Sequence, residues 1–167
     1  MKNIKMQKTI IICAAALTLL ISCGEKKSSS DTGAAKEAIS TADDNSGKSA
    51  TFKVDGTEYK GKVETQHFAG DGFSVLCQQD EPFALLQAVF ANEKEASGTA
   101  YFKPSSSFYG VSAGDVNVAL TMGDEKYNTT DKSTGIISVE EKKLILKDLK
   151  LFDSNKKEKI ITSTLPF

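Results

Sequence analysis

Two side chains in this 167-residue chain have the chemistry of a nucleophile and its base: Cys77, and His67, the single histidine. A thiolate activated by imidazole is a hydrolase arrangement, but it needs a third group to orient the base, and no local signature supplies one. Cys77 follows Val75-Leu76 in an apolar run and reads as a small buried hydrophobe. His67, beside Phe68, reads as a half-buried strand residue. A zinc site would have to combine His67 with Cys77 and carboxylates. The acidic pairs Asp80-Glu81, Asp124-Glu125 and Glu140-Glu141 are adjacent in sequence. Adjacent strand residues point to opposite faces, so these read as turn and surface charges. Asp43-Asp44-Asn45-Ser46-Gly47 has the acids of a calcium loop, but its glycine falls one position early and its twelfth position is Val54. No catalytic residue, cofactor or metal is expected.

Recognition is the chemistry better represented. Tyr101, Phe102, Phe108 and Tyr109 flank the Pro104-Ser105-Ser106-Ser107 loop, the composition of a segment that presents rings to a ligand or partner. The competing reading packs alternate rings on the core at strand ends. The chain has no Trp, which weakens the case for a sugar-stacking platform.

The N-terminal segment sets the address. Lys2, Lys5 and Lys8 precede about 13 mostly apolar residues from Thr9 to Ile21, the length of a secretory signal core and short of the ~20 residues that span a bilayer. The run ends in Leu20-Ile21-Ser22-Cys23, which resembles the lipobox of bacterial lipoproteins. That resemblance implies cleavage before Cys23 and acylation of Cys23. Residues 1–22 would then be a signal peptide, and the chain would be anchored in the cell envelope. Two or three acyl chains hold almost permanently, because each buried methylene contributes about 0.8 kcal/mol. Gly24, in place of an aspartate, is similar to lipoproteins sent to the outer membrane. From Gly24 to Ala50 the residues are small or polar, with Ile39 the only large apolar side chain. Such a segment cannot bury enough surface to offset its ordering entropy, so 23–50 is expected to be a disordered tether.

Removing Lys2, Lys5 and Lys8 from 21 basic residues leaves 18 against 22 acidic ones, a net charge of −4. No arginine is present. Both facts argue against nucleic acid, which is bound through clustered basic charge. The lysine-rich stretch from Lys142 to Lys159 also contains Asp148, Asp153 and Glu158 and reads as a solvated, edge-protecting face. With Cys13 in the leader and Cys23 acylated, Cys77 is left without a disulfide partner.

Residues 51–167 carry short β-rich runs punctuated by turn residues every 8–12 positions, the pattern of an all-β, antiparallel sandwich or barrel of about 8–10 strands. Asp55-Gly56 is a hairpin signal. Asp80-Glu81-Pro82 before residues 83–91 also fits a helix start, but the apolar run suits a buried strand among β neighbours. Residues 139–152 read either as a helix behind a Ser138–Glu141 capping box or as strands. As a strand, Leu144 and Leu146 share a face with Leu149 and Leu151 only if a bulge intervenes at Lys147-Asp148. The run from Thr134 to Val139, then 144–152, the polar turn 153–157 and Ile160-Ile161-Thr162 is similar to the closing meander of small β-rich lipoproteins of Bacteroidota type. The opening Phe52-Lys53-Val54-Asp55-Gly56-Thr57 resembles their first hairpin. The resemblance implies strands over 139–152 and brings no catalytic residue with it.

These readings converge on a lipid-anchored, non-enzymatic binding or scaffolding module at the cell envelope. Its membrane contact would run through acylated Cys23, with a protein or glycan as partner. A lipocalin-like carrier of a small apolar ligand is the alternative. An envelope hydrolase using His67 or Cys77 ranks below both.

Overall fold

Asp55-Gly56 makes the first turn of the fold, with φ of 50° and 84°. These left-handed values suit a two-residue hairpin, because they match the twist of the flanking strands. The turn joins β1 (Ser49–Val54) to β2 (Thr57–His67). The computed structural model describes residues 47–167 except Ala69. The signal peptide, lipobox and nearly all of the tether lie outside the described residues. β1 begins two residues before the expected boundary at Thr51, and the Lys48 carbonyl already accepts the Val63 N–H.

Eight further strands follow: β3 (Phe73–Gln79), β4 (Ala84–Phe90), β5 (Ala100–Pro104), β6 (Asp115–Met122), β7 (Glu125–Asn128), β8 (Ile136–Glu140), β9 (Lys143–Phe152) and β10 (Glu158–Pro166). The all-β expectation is met. Residues 84–90 are a strand paired on both edges, to β3 and to β6. A short helix, α1 (Glu93–Ala96), comes after that strand, capped by Asn92, whose side chain accepts the Glu95 N–H.

The strands close into a ring in the order β10-β1-β2-β3-β4-β6-β5-β8-β9, with β9 returning to β10. This ring has nine members. An all-antiparallel ring must have an even number of strands, so one neighbouring pair here has to be parallel. That pair is β5–β6, and it is short: Lys103 faces Asp115 and Pro104 faces Val116. Below it β7 takes over the same edge of β6, from Ala119 to Met122.

Alternation fills the barrel from within. Phe52 and Val54, Val75 and Cys77, Leu86 and Ala88, Val116, Val118 and Leu120 all point inward and join one buried cluster. The bulge that the leucine pattern demands is present. Ile161 and Ser163 of β10 pair with Leu149 and Leu146, so one residue opposes two. Asp148 takes φ 48° there, and Leu144, Leu146, Leu149 and Leu151 are all buried. Gly135 lies against the bulge, where a Cβ would sit 2.5 Å from Leu149 Cα. The capping-box reading of 138–141 is corrected: Ser138 is a buried β8 residue, and Glu141-Lys142 form a left-handed turn with φ of 49° and 59°.

Candidate functional site

One end of the barrel collects aromatic rings. Phe73, Phe90, Phe102 and Phe167 meet there with centroids 5.3–6.3 Å apart, and Ala96 of α1 is buried against the same core. Phe102 therefore belongs to the interior, 9% exposed and edge-on to Phe90, and is withdrawn from the recognition loop. Its neighbour Tyr101, on the opposite face of β5, is 74% exposed. Phe108 and Tyr109 ride on the loop between β5 and β6, which folds over the outer face of the wall. Phe108 packs on Phe68 at 6.3 Å and on Tyr109 at 5.0 Å, while Tyr109 is 81% exposed. Between this loop and the 68–72 turn lies a cleft of about 110 Å³ floored by Val89 and walled by Phe68, Phe108 and Tyr109. Phe68 is the member that sequence reasoning missed. The Gly70-Asp71-Gly72 turn beside it was the available signal.

The loop is seated by a buried polar joint. Pro104 ends β5 and Asn128 ends β7, so the edge of β6 between them lacks a regular strand partner. Thr129 fills the gap: its N–H donates to the Val118 carbonyl, and its hydroxyl accepts the Val118 N–H at 3.0 Å. The Ser105 carbonyl accepts from the Thr129 hydroxyl at 2.5 Å and from Asn117 Nδ2 at 2.9 Å. Asn117 Oδ1 is buried and has no partner among the described residues.

His67 and Cys77 are not brought together. His67 pairs with Phe73 across the β2–β3 ladder, four residues from Cys77, a rise of about 13 Å. The His67 ring lies on Phe73 at 5.2 Å, with Nε2 3.8 Å from Glu93 of α1. Cys77 points inward, and its thiol donates weakly to the Ala50 carbonyl at 3.8 Å. Burial pushes its pKa up against the opposing backbone contacts at Gly61 and Ala50. Among the described residues no group of three His, Cys, Asp or Glu could hold a metal ion. The calcium-like run 43–47 lies outside the described residues except for Gly47.

At the opposite end, charge closes the barrel. Lys159 Nζ bonds Asp55 at 2.8 Å and lies 6.0 Å from the centre of the buried Tyr127 ring. Glu125 accepts from the Tyr127 hydroxyl at 2.9 Å and from Lys157 at 3.2 Å. Lys150 pairs with Glu158 at 3.2 Å. The lysine-rich stretch thus carries cross-strand ion pairs on a ring whose strand edges are already joined. Shallow depressions over β1 and β10 share Lys53 and Thr162. Two of the carboxylates beside them are engaged, Asp55 by Lys159 and Asp148 by the Thr162 hydroxyl.

The fold and the site define a closed β-barrel with a filled interior and an aromatic cleft on its outer rim. No family model, curated protein or solved structure matches this chain. No helix among the described residues is long and apolar enough to cross a membrane.

Proposed function

We propose that this chain is a lipid-anchored, non-enzymatic binding or scaffolding module of the cell envelope. Cys23 fixes it to the outer membrane, and the aromatic rim of the barrel is its contact surface. The observation that carries this reading is the division of its rings. Phe52, Phe73, Phe90 and Phe102 are consumed in the interior, whereas Tyr109 stands in solvent beside a cleft. Exposed rings grouped around a concavity are the usual anchors of recognition surfaces.

Two measurements test it. Cells fed a clickable fatty acid should label the chain, and Cys23→Ser should abolish the label; persistent labelling would end the anchor claim. A photo-crosslinker at position 109 should capture an envelope component, while one at Thr162 should not. Equal capture from both would remove the assignment of the contact surface.

A lipocalin-like carrier is the second reading, favoured by the closed barrel itself. Leu86, Leu120, Phe52 and Phe90 fill the space such a ligand would need, so binding would require them to move. Saturable uptake of a fluorescent fatty acid, lost on Leu120→Trp, would favour the carrier over the rim.

A further inference from the structure

We infer that the β5–β6 loop dips into the lipid surface to which the chain is tethered, with Phe108 and Tyr109 as the inserted groups. This rests on the anchored-module reading and names the partner of its rim.

Three observations point the same way. The first is charge. About a quarter of the chain is charged, yet residues 104–114 contain no charged side chain. Within residues 47–167 the comparable uncharged run, 82–92, contains the wall strand β4, which the core requires. Packing accounts for Val111 and part of Phe108, but not for the tip, since Tyr109 is in solvent and Ser106, Ser107 and Gly110 are exposed. An uncharged tip bearing Phe and Tyr suits a bilayer interface, where an amphipathic ring lowers its free energy while its hydroxyl stays hydrated.

The second is position. β1 runs from Ser49 down to the Asp55-Gly56 turn, so the chain preceding it arrives from the opposite end. That is the end where β2 finishes at His67, β4 at Phe90 and β6 begins at Asp115. The loop and the start of β1 at Ser49 therefore lie at the same end of the barrel, so the end that carries the loop is also the one joined to the anchored segment.

The third is support. The loop is held at its base by the Ser105–Thr129–Asn117 joint and in its middle by Phe108 on Phe68. The exposed ring needs little ordering on contact, which keeps the entropic cost of insertion low. The charged groups at this end are of both signs: Asp71, Glu93, Glu95 and Glu141 stand with Lys94, Lys142 and Lys143, with Glu93 beside His67 and Glu95 accepting the Gly114 N–H. They give anionic lipid no advantage, so a zwitterionic surface is the fitting occupant. Two rings bind weakly by themselves, but a tethered loop acts at high effective concentration, so a weak contact suffices.

The chain has no Trp, so Tyr109→Trp supplies a single reporter. The experiment uses the chain from residue 23 with Cys23→Ser, which removes the acyl contribution, mixed with phosphatidylcholine vesicles. Indole emission should shift to the blue and be quenched by brominated acyl chains, whereas Ser154→Trp at the far end should show neither. In the parent chain, Tyr109→Ser, at a ring that is 81% exposed, should lower vesicle partitioning by roughly tenfold without moving the thermal melt. Emission unchanged at 109, or equally changed at 154, would overturn the inference. So would binding that requires anionic lipid and vanishes in salt, since that would assign the contact to lysines. Crosslinks from position 109 to protein or glycan alone would also overturn it. Fatty-acid labelling at Cys23 is read separately, so loss of the anchor and failure of the loop give different results.

Discussion

Phe102 and Tyr101 are neighbours in sequence with opposite environments, and substitution should separate them. Phe102→Ala removes a ring packed edge-on to Phe90 and should cost about 3–5 kcal/mol. Tyr101→Ala should stay within about 0.5 kcal/mol of the parent. Chemical denaturation of the two variants checks this, and equal effects would place Phe102 wrongly. Cys77, buried and with a raised pKa, should react with a thiol reagent at pH 8 only after denaturant is added. Both placements had a sequence basis. Cys77 stood in an apolar run, and strand alternation put Phe102 and Tyr101 on opposite faces. What alternation could not say was which face was inside, because the Pro/Ser loop made either ring a plausible surface group. The Asn117–Thr129–Ser105 joint was illegible for another reason. Its members are about a dozen or more residues apart and are polar types that ordinarily face water.

Elements are where the fold is most constrained. Gly135 has φ 123° and would place a Cβ against the β9 bulge, so Gly135→Ala combines backbone strain with a collision. It should destabilise by more than about 2 kcal/mol, whereas Gly98→Ala, with open space around it, should be close to neutral. Thermal melts of the two variants decide. Deleting Lys147 removes the extra residue and leaves Leu144, Leu146, Leu149 and Leu151 alternating on one face of a regular strand, so the variant should still fold cooperatively. A deletion variant that fails to fold would refute that account. The bulge was readable because the leucine alternation breaks at one place only. The β8–β9 turn was hidden, since Glu141 and Lys142 adopt left-handed φ without the glycine that usually marks it. That gap also let a capping box compete with two strands. Helix α1 escaped because four residues are too few to show a period.

Across the whole molecule, acid should act at the charged end of the barrel. Burial raises the Asp55 pKa, but the Lys159 and Ile160 hydrogen bonds and the lysine charges outweigh it, leaving a net depression. Glu125 is depressed by hydrogen bonds from Tyr127 and then Lys157. A depressed acid stabilises fully above its unfolded pKa, with ordinary values of 3.8 for Asp55 and 4.5 for Glu125. That contribution disappears as the pH falls through the folded values. The melting temperature should therefore hold from pH 7 to about 5 and fall below about 4. Asp55→Asn should be less stable than the parent at pH 7 and approach it as the pH falls below the ordinary 3.8; parallel curves would remove Asp55 from the explanation. Composition and turn spacing made an all-β barrel or sandwich legible, but not its closure, which depends on β1–β10 pairs more than a hundred residues apart, nor its odd strand number, which rests on the two-pair parallel seam between β5 and β6. The odd number has a kinetic consequence. Nearly every seam of the ring is an antiparallel ladder several pairs long, whereas β5 meets β6 over two pairs reinforced by side chains. Breathing of the ring should begin there, so the amides of Lys103, Ser105 and Thr129 should exchange with solvent ahead of those in β3 and β4. A molecule entering the interior would find its door in the wall beneath the aromatic loop rather than at either mouth.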